Sequence, residues 1–216
     1  MAAQRPDVLV RPLDIGVPAE LDKVLAIYQE AIPARERKPP AAIAAMAGRQ
    51  DYLIELALIA GQVVGFSISC LLQLQPLRLL EYMAVLRAER KGGVGSALFE
   101  HLAQVVFRES GTLILEVDSD HDPAPDLDVR RARKAFYRRH GCREIEGLRY
   151  RLPSLAAGPD PIMDLMLLRR PMPASVPKAE ALGWLQSLYR EVYSVPSNDP
   201  RIGGMLEGLP GDLPLV

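Results

Sequence analysis

The most informative segment of this chain reads Leu80-Glu81-Tyr82-Met83-Ala84-Val85-Leu86-Arg87-Ala88-Glu89-Arg90-Lys91-Gly92-Gly93-Val94-Gly95-Ser96-Ala97-Leu98. An apolar strand leads into a basic, glycine-rich turn, and the turn opens directly into an amphipathic helix. Glycine has no Cβ to keep neighbouring N–H groups apart, and the start of a helix adds N–H groups that lack an intrahelical acceptor. A turn of this kind is suited to binding a phosphate or pyrophosphate, to which Arg90 and Lys91 would add positive charge.

The spacing of the glycines separates the kinds of phosphate-binding turn. A P-loop requires four residues between its first glycine and a Gly-Lys-Ser/Thr, and this is absent. A dinucleotide-binding turn requires Gly-x-Gly-x-x-Gly, but Gly93 and Gly95 are followed by Leu98. The remaining pattern, Arg90-x-x-Gly93-x-Gly95 after a strand, resembles the acyl-coenzyme A loop of the GNAT N-acyltransferase superfamily. The alternative is an ordinary strand-to-helix turn that contains three glycines.

Hydrophobic periodicity predicts strands and helices along the rest of the chain. Residues 52–59 and 63–72 are separated only by a short turn around Gly61, so they are predicted to form a hairpin. Strands are predicted at residues 8–11, 52–59, 63–72, 79–86, 112–117, 148–152 and 162–168. Helices are predicted at residues 18–32, 41–48, 95–107, 129–140 and 177–193.

A second segment strengthens the resemblance. Ala132-x-x-x-Phe136-Tyr137-x-x-x-Gly141 resembles the Ala-x-x-x-Phe/Leu-Tyr-x-x-x-Gly-Phe signature of the same superfamily, and Gly65 stands where its members commonly carry a glycine. The resemblance implies the GNAT fold, an α/β (α+β) architecture with a central mixed, mostly antiparallel sheet flanked by helices, over residues 1–170. Residues 171–216 are predicted to form an extension with a Pro-rich linker, an amphipathic helix and an irregular tail.

Two positions depart from the family pattern. Many members carry an asparagine seven residues before the tyrosine, where it helps to bind the pantetheine arm, and that offset gives Arg130 here. The pair Gly141-Cys142 replaces the more usual Gly-Phe. Both departures affect the expected contacts to the thioester end of coenzyme A and leave the pyrophosphate loop intact.

The resemblance implies a direct transfer of an acetyl or other short acyl group to a primary amine in a ternary complex. The co-substrate would be acetyl-CoA, with no metal ion, and the acceptor would be a small-molecule or peptide amine. In this superfamily the pantetheine runs along the motif strand, so backbone groups of Met83, Ala84, Val85 and Leu86 would bind it, with the N–H of Val85 pointing at the thioester carbonyl. The pyrophosphate would be bound by Arg90 and by the N–H groups of Lys91, Gly92, Gly93, Val94, Gly95 and Ser96.

Two side chains are candidates for proton transfer. Tyr137, carried over from the family tyrosine, is the candidate general acid for the leaving thiolate; the alternative is that its ring only packs. Glu81 is the candidate general base, because a carboxylate in an otherwise apolar strand is costly to bury and is therefore expected to have a partner or a function. Strand alternation predicts that it shares a face with Met83 and Val85. The alternative for Glu81 is a glutamate in solvent or paired with an arginine, and Glu116 is a weaker candidate for the base.

The composition argues against several other classes of protein. The formal net charge of −1 gives no support for a nucleic-acid or membrane-surface protein, and no signal peptide or membrane span is apparent. No Cys/His cluster has the spacing of metal ligands. Cys70 and Cys142 are expected to be reduced thiols, which predicts a cytoplasmic protein.

Several features leave alternatives open. The aspartates between Asp118 and Asp128 could attract a cationic acceptor, or form a solvated loop that the following basic helix neutralises. His101, His121 and His140 are each expected to be an isolated surface residue. The C-terminal helix could pack on the domain, mediate homodimerisation or cover the acceptor cleft.

Two other functions compete with catalysis from acetyl-CoA. One is a non-catalytic acyl-CoA-binding regulatory module of the same fold. The other is an acyltransferase that uses a carrier-protein thioester, and the intact loop from Arg90 to Ser96 argues against it because such a donor needs no pyrophosphate site.

Overall fold

The computed structural model describes residues 7–109, 111–153 and 160–216. Contacts divide the chain into two compact units, the first with Met1–Leu71 and Leu80–Val105 and the second with Leu72–Leu79 and Val106–Val216. Within the described ranges, no helix is both long and apolar enough to cross a lipid bilayer. Cys70 and Cys142 are both buried and free of disulfide bonds.

The first unit is built on antiparallel strands and three helices. Strand β2 (Tyr52–Ile59) pairs antiparallel with β1 (Leu9–Pro12) and with β3 (Gln62–Leu72), and β3 is hydrogen bonded to β4 (Leu77–Val85). Ala60 and Gly61 join β2 to β3 at positive φ, 48° and 75°, which is the backbone twist that favours two-residue hairpins. The helices are α1 (Pro18–Ala31), α2 (Pro40–Ala47) and α3 (Val94–Glu109), whose final residues belong to the second unit.

Two apolar clusters hold these helices on the strands. Alternation along β2 puts Leu56 in one cluster and Ala57 in the other. The first cluster packs α1 and α2 on the strands, and its buried members are Val24, Ile27, Tyr28, Ile43, Met46, Ile54, Leu56, Leu58, Phe66, Ile68 and Ala84. The second packs the start of α3, and its buried members are Ala57, Val64, Val94 and Leu98.

The second unit contains strands β5 (Thr112–Asp118), β6 (Arg143–Glu144), β7 (Tyr150–Arg151) and β8 (Ile162–Arg169), with helix α4 (Leu127–Arg139). Strand β8 pairs antiparallel with β5, β6 and β7. Successive residues of β5 and β8 are buried, from Leu113 to Leu115 and from Leu165 to Leu167. A run without polar alternation is typical of a strand that is covered on both faces.

The last part of the chain is folded into the second unit. It comprises β9 (Ser175–Pro177), α5 (Lys178–Ser187), a π-turn over Leu188–Val192, α6 (Pro200–Leu206) and β10 (Asp212–Pro214), which pairs antiparallel with β9. Trp184 and Tyr189 are buried, and Leu215 bridges Ile145 beside β6. The Glu191 carboxylate accepts hydrogen bonds from the N–H groups of Gln73 and Leu74 at 2.6 and 3.1 Å.

The expected fold class, mixed α/β with a mostly antiparallel sheet flanked by helices, is confirmed. Residues 200–206 and 212–214, predicted to be irregular, instead form α6 and β10. Pro200 stands at the first helical position and the Asp199 side chain accepts from the N–H of Arg201, so α6 has a capped start despite its glycines. Most of the connection between the strands predicted at 148–152 and 162–168 falls on residues 154–159, outside the described residues. The division at residue 170 stays a prediction.

Candidate functional site

The basic, glycine-rich turn joins β4 to α3 within the first unit. A 3-10 turn over Arg87–Glu89 follows β4, and Lys91 and Gly93 then take positive φ values of 72° and 90°. The N–H of Ala97 donates to the carbonyl of Gly93 at 3.0 Å and so begins the hydrogen-bond ladder of α3. The first turn of a helix has N–H groups without intrahelical acceptors and carries the positive end of the dipole. The turn therefore has the backbone arrangement of an anion-binding site.

Gly65 on β3 lets the strands and α3 approach closely at this turn. A Cβ on Gly65 would lie 2.9 Å from the carbonyl oxygen of Ala84 and 3.3 Å from side-chain carbons of Val85 and Leu98. Real Cβ atoms do not approach a carbonyl oxygen this closely, so any larger residue would displace β4 or α3. The glycine that the sequence resemblance singled out thus has a steric reason.

The need for glycine at position 93 comes from its backbone angle and not from crowding. A Cβ built on Gly93 would meet no atom within 4 Å of the described protein, but its φ of 90° is one that residues with a side chain rarely adopt. The neighbouring Lys91 carries the same kind of strain without being glycine. The turn therefore depends on Gly93 for its backbone conformation.

Arg90 folds back onto the end of β4. Its Nε donates to the carbonyl oxygen of Val85 at 3.2 Å, and the side chain is exposed, as is that of Lys91. The N–H of Leu86 donates to the carbonyl of Val64 at 2.9 Å and so belongs to the strand pairing. Two of the backbone groups expected near the pantetheine, the Val85 carbonyl and the Leu86 N–H, thus already have partners in the protein.

Glu81 lies buried in a polar cluster of the first unit. Its side chain is 5 % exposed; Oε2 accepts from Nζ of Lys38 and Oε1 accepts from the hydroxyl of Tyr52, each at 2.5 Å. Burial and the adjacent Glu81 carboxylate raise the pKa of Tyr52, which keeps its hydroxyl protonated as a donor. The glutamate is therefore paired with a lysine, close to the ion-pair alternative that its sequence position allowed.

The contacts of Glu81 differ from those of the residues expected on its face. Met83 and Val85 pack against the cluster that holds the start of α3. Tyr52, which bonds to Glu81, packs instead against the cluster beneath α1 and α2. Tyr82 packs there too, with its ring 5.1 Å from that of Tyr28.

Tyr137 lies near the end of α4 in the second unit and is 8 % exposed. Burial raises the pKa of its hydroxyl to about 12. Its ring lies 5.3 Å from the ring of Phe136 in an edge-to-face arrangement. At neutral pH the phenol is protonated, which a proton donor requires.

Two histidines that were expected to be isolated are paired. Nδ1 of His101, on α3, lies 2.5 Å from a carboxylate oxygen of Glu55, which is fully buried on β2 and also accepts from Ser67 at 2.9 Å. In the second unit, Nε2 of His121 lies 2.7 Å from Glu144. The sequence held one indication of the Glu55–His101 pair, which is that Glu55 interrupts an apolar strand.

The acidic loop before α4 is neutralised by basic side chains. Asp118 accepts from Arg133 at 2.7 Å, and Asp126 accepts from Arg130 at 2.9 Å. Arg130, at the offset of the family asparagine, also donates to the carbonyl of Ser119 at 3.0 Å. Between the two alternatives for this loop, the contacts favour internal neutralisation over attraction of a cationic acceptor.

Lys134 supplies the cation at the centre of the second unit's acidic cluster. It is fully buried; its Nζ contacts Asp120 and lies 2.7 Å from Asp164 and 2.8 Å from Glu144. Asp120, His121 and Asp164 lie close enough together to resemble a set of metal ligands. Because the ammonium already bonds to both aspartates, the cluster is explained without a metal ion.

Glu116, the weaker base candidate, is engaged by the last part of the chain. The hydroxyl of Tyr193 donates to its Oε2, and Tyr189 nearby in sequence donates to the carbonyl of Arg151 at 2.6 Å. The segment after α5 thus packs on the strands of the second unit, which is one of the three roles open to the C-terminal helix.

Comparison with known proteins shows which family the segment around the glycine-rich turn is similar to. Residues 50–144 match the sequence model of the acetyltransferase (GNAT) domain, a span that holds the glycine-rich turn, Glu81 and Tyr137. A search of curated protein sequences finds no significant match.

Solved structures share the fold at low sequence identity. A protein of Bacteroides thetaiotaomicron assigned to the GNAT family of acetyltransferases is 21% identical, with a TM-score of 0.70 over 87% of this chain and 99% of that one. The ribosomal-protein-S18-alanine N-acetyltransferase of Escherichia coli is 22% identical (TM-score 0.58, 76% and 94% covered). An aminoglycoside 6'-N-acetyltransferase complexed with coenzyme A is 19% identical (TM-score 0.60, 76% and 98% covered).

Proposed function

Residues 50–144 match the GNAT acetyltransferase domain, and from that match we propose that the chain belongs to this family and transfers an acetyl group from acetyl-CoA to a primary amine. The observation that carries the proposal is the turn between β4 and α3. Its positive φ angles at Lys91 and Gly93 and the start of α3 at Val94 support a pyrophosphate site at this turn. Acetyl-CoA carries a pyrophosphate, and the similar aminoglycoside enzyme is described as a complex with coenzyme A.

The proposed binding mode follows the turn and the strand before it. Arg90 turns from the Val85 carbonyl toward the pyrophosphate, where a charge-assisted hydrogen bond replaces a neutral one. The N–H groups from Lys91 to Ser96 complete the phosphate site. The pantetheine lies along Met83 to Leu86, with the N–H of Val85 aimed at the thioester carbonyl oxygen.

The proposed chemistry is a direct attack in a ternary complex. Glu81 takes a proton from the acceptor ammonium, and the neutral amine attacks the thioester carbon. The Val85 N–H stabilises the oxyanion as the C–N bond forms. The C–S bond then breaks, and Tyr137 gives its proton to the leaving thiolate. The proton that the nitrogen loses on becoming an amide restores the Tyr137 hydroxyl. Much of the acceleration would come from holding the two reactants together.

The acceptor is proposed at the level of a primary amine. The similar structures include an enzyme named for a ribosomal-protein alanine and one named for an aminoglycoside 6' position, so the fold serves both peptide and small-molecule amines. A buried carboxylate such as Glu81 is suited to receive an ammonium group of either kind.

Calorimetric titration with acetyl-CoA, ATP and NAD at equal concentrations tests the donor. We expect selective binding of acetyl-CoA, and Gly93→Val should weaken it at least about tenfold because valine cannot adopt the φ of this turn. Gly203→Ala, in α6 where a Cβ meets open space, serves as the matched control. Undiminished affinity in Gly93→Val would remove the central claim, and a panel of amines assayed by thiol release then tests turnover.

A second candidate function is a non-catalytic acyl-CoA-binding regulatory module. The observation in its favour is that both oxygens of Glu81 already accept hydrogen bonds, from Lys38 and Tyr52. Such a module would bind acetyl-CoA tightly and release no thiol with any amine in the panel. Turnover that falls in Glu81→Gln while acetyl-CoA affinity persists would exclude it.

A further inference from the structure

Lys38 brings a primary amine of the protein itself against the proposed base. The residue lies just before α2. Its backbone N–H donates to the hydroxyl of Tyr28 at 2.7 Å, and this bond holds the backbone from which the side chain extends. Its Nζ then reaches Oε2 of Glu81 at 2.5 Å. The lysine side chain is 24 % exposed, so the ammonium is in contact with the carboxylate without being sealed in the core.

The pairing has the form expected of an acceptor amine on a general base. Glu81 is almost fully buried, and Tyr52 holds its second oxygen at 2.5 Å, so the carboxylate presents one oxygen to one amine. A candidate general base must lie within hydrogen-bond reach of the proton that it removes, and Lys38 meets that condition.

We propose that Lys38 is a self-acetylation site, modified in cis by acetyl-CoA bound in the same protein molecule. The inference rests on the proposed function, because it uses acetyl-CoA as the donor and Glu81 as the base. The four-carbon stem of lysine carries the amine from the carboxylate toward the thioester on β4.

The reaction balances with acetyl-CoA as the only other reactant. Glu81 accepts a proton from the Lys38 ammonium, and the neutral Nζ attacks the thioester carbonyl carbon. The C–N bond forms and the C–S bond breaks, and Tyr137 protonates the leaving thiolate. The second proton, which the nitrogen loses on becoming an amide, restores the Tyr137 hydroxyl, and Glu81 releases the first to solvent. The product is a neutral amide at Lys38 and free coenzyme A, and Glu81 loses the cation that had occupied Oε2.

The other lysines have different surroundings. Lys134 is fully buried against carboxylates of the second unit, and Lys178 donates to the carbonyl of Leu209 at 2.8 Å. Lys23 on α1 and Lys91 in the glycine-rich turn are exposed. Lys23 is therefore a suitable internal control for chemical acetylation, which occurs at exposed lysines without a positioned base.

The test is a time course with acetyl-CoA that carries a deuterated acetyl group, followed by digestion and quantification of label at each lysine. We expect Lys38 to gain label at least about tenfold faster than Lys23, with a first-order rate that does not change when the protein is diluted. Glu81→Gln should slow labelling of Lys38 by about 10²-fold or more, as loss of a general base does, and leave Lys23 unchanged. Tyr137→Phe should slow it as well.

Two controls separate the possible failures. Acetyl-CoA affinity, measured for every variant, shows that each still folds and binds the donor; no affinity in the unmodified protein would overturn the proposed function itself. If the protein binds acetyl-CoA and acetylates an added amine but labels Lys38 no faster than Lys23, self-acetylation alone is wrong. Labelling of Lys38 in Glu81→Gln by added Lys38→Arg protein would show reaction between molecules and overturn the reaction in cis.

Discussion

Arg90 offers a way to separate the phosphate end of the ligand from its acyl end. We expect Arg90→Ala to weaken coenzyme A binding about tenfold, because a charge-assisted hydrogen bond to phosphate contributes about 1.5–3 kcal/mol, part of which the Val85 contact offsets. An acyl-pantetheine fragment has no pyrophosphate and should bind the variant as it binds the unmodified protein. Calorimetry on both ligands checks this prediction.

The matched control for Arg90 is Arg87→Ala, an exposed arginine on the preceding 3-10 turn. It removes the same charge from the same surface and should change coenzyme A affinity by much less. Equal losses for coenzyme A and the fragment in Arg90→Ala would mean that Arg90 supports the turn and does not contact phosphate.

Tyr137→Phe removes one hydroxyl from a buried ring and keeps its packing. If the phenol protonates the leaving thiolate, kcat should fall about 10²-fold or more while the dissociation constant of acetyl-CoA stays nearly unchanged. Because burial raises the pKa of Tyr137 to about 12, the activity it supports should persist to alkaline pH and fall only as the pH approaches that value. A parallel loss of affinity and kcat would identify a packing residue.

Some residues of the candidate site could be predicted from the sequence, and others could not. The glycines and Arg90 could be placed because their spacing is set by backbone geometry, which a linear pattern records. Lys38 and Tyr52 could not be assigned to Glu81, because the three come from a loop and two strands far apart in sequence. His101 shows the same limit, since its partner Glu55 lies 46 positions away.

At the scale of elements, Gly65 controls how closely β3, β4 and α3 pack. We expect Gly65→Ala to lower the free energy of unfolding by about 1–3 kcal/mol, because its Cβ would lie 2.9 Å from the Ala84 carbonyl. It should also weaken acetyl-CoA binding, since the turn between β4 and α3 must shift. Chemical denaturation and calorimetry measure the two effects, with Gly203→Ala as the control that adds a methyl group in open space.

The cluster around Lys134 connects α4 with β6, β8 and the acidic loop. Burial alone would raise the pKa of Glu144, but hydrogen bonds from Lys134 and His121 lower it below its ordinary value. A carboxylate with a depressed pKa stabilises the fold above its unfolded pKa, near 4.5, and that contribution is lost as the pH falls through the folded value. The pKa of Lys134 is raised, so its charge persists across this range.

Lys134→Met should therefore destabilise the protein most at neutral pH, by about 3–5 kcal/mol, because it leaves three carboxylates around an apolar side chain. The difference from the unmodified protein should shrink as the pH falls below 4, because the pKa of Asp120 and of Glu144 is lowered in the folded protein and their charges are lost only at acidic pH. Thermal unfolding across pH 3–8 measures it. Lys23→Met, on an exposed lysine, should cost less than about 0.5 kcal/mol, and a pH-independent difference would contradict the role of the ion pairs.

Element positions followed well from periodicity wherever an element had a clear apolar face. The strands β2, β3, β5 and β8 and the helices α1 and α3 lie close to their predicted bounds. Strand β6 was not predicted because it has only two residues, too few to show a period. Helix α6 was missed because its glycines suggested a loop, whereas its stability comes from the Asp199 cap and burial of Ile202 and Met205.

For the whole molecule, residues 171–216 are expected to be required for folding. Deleting them would expose the surfaces that Trp184 and Tyr189 bury and would remove the bridge between Ile145 and Leu215. We expect the truncated protein to lose cooperative thermal unfolding. Leu213→Ala, at a fully buried position of β10, should destabilise by about 2–5 kcal/mol, and Val216→Ala, largely exposed, should not. Unchanged unfolding of the truncated chain would make this segment an independent appendage.

The bond between Glu191 and the turn that joins β3 to β4 also sets an order of events during synthesis. The carboxylate that accepts from Gln73 and Leu74 is encoded 118 and 117 residues later. Because synthesis proceeds from the N-terminus, the ribosome releases this turn long before Glu191 has been added to the chain. Residues of the first unit can fold while the chain is still being synthesised. The second unit can complete its fold only after its C-terminal residues have been synthesised, as expected for structure of high contact order.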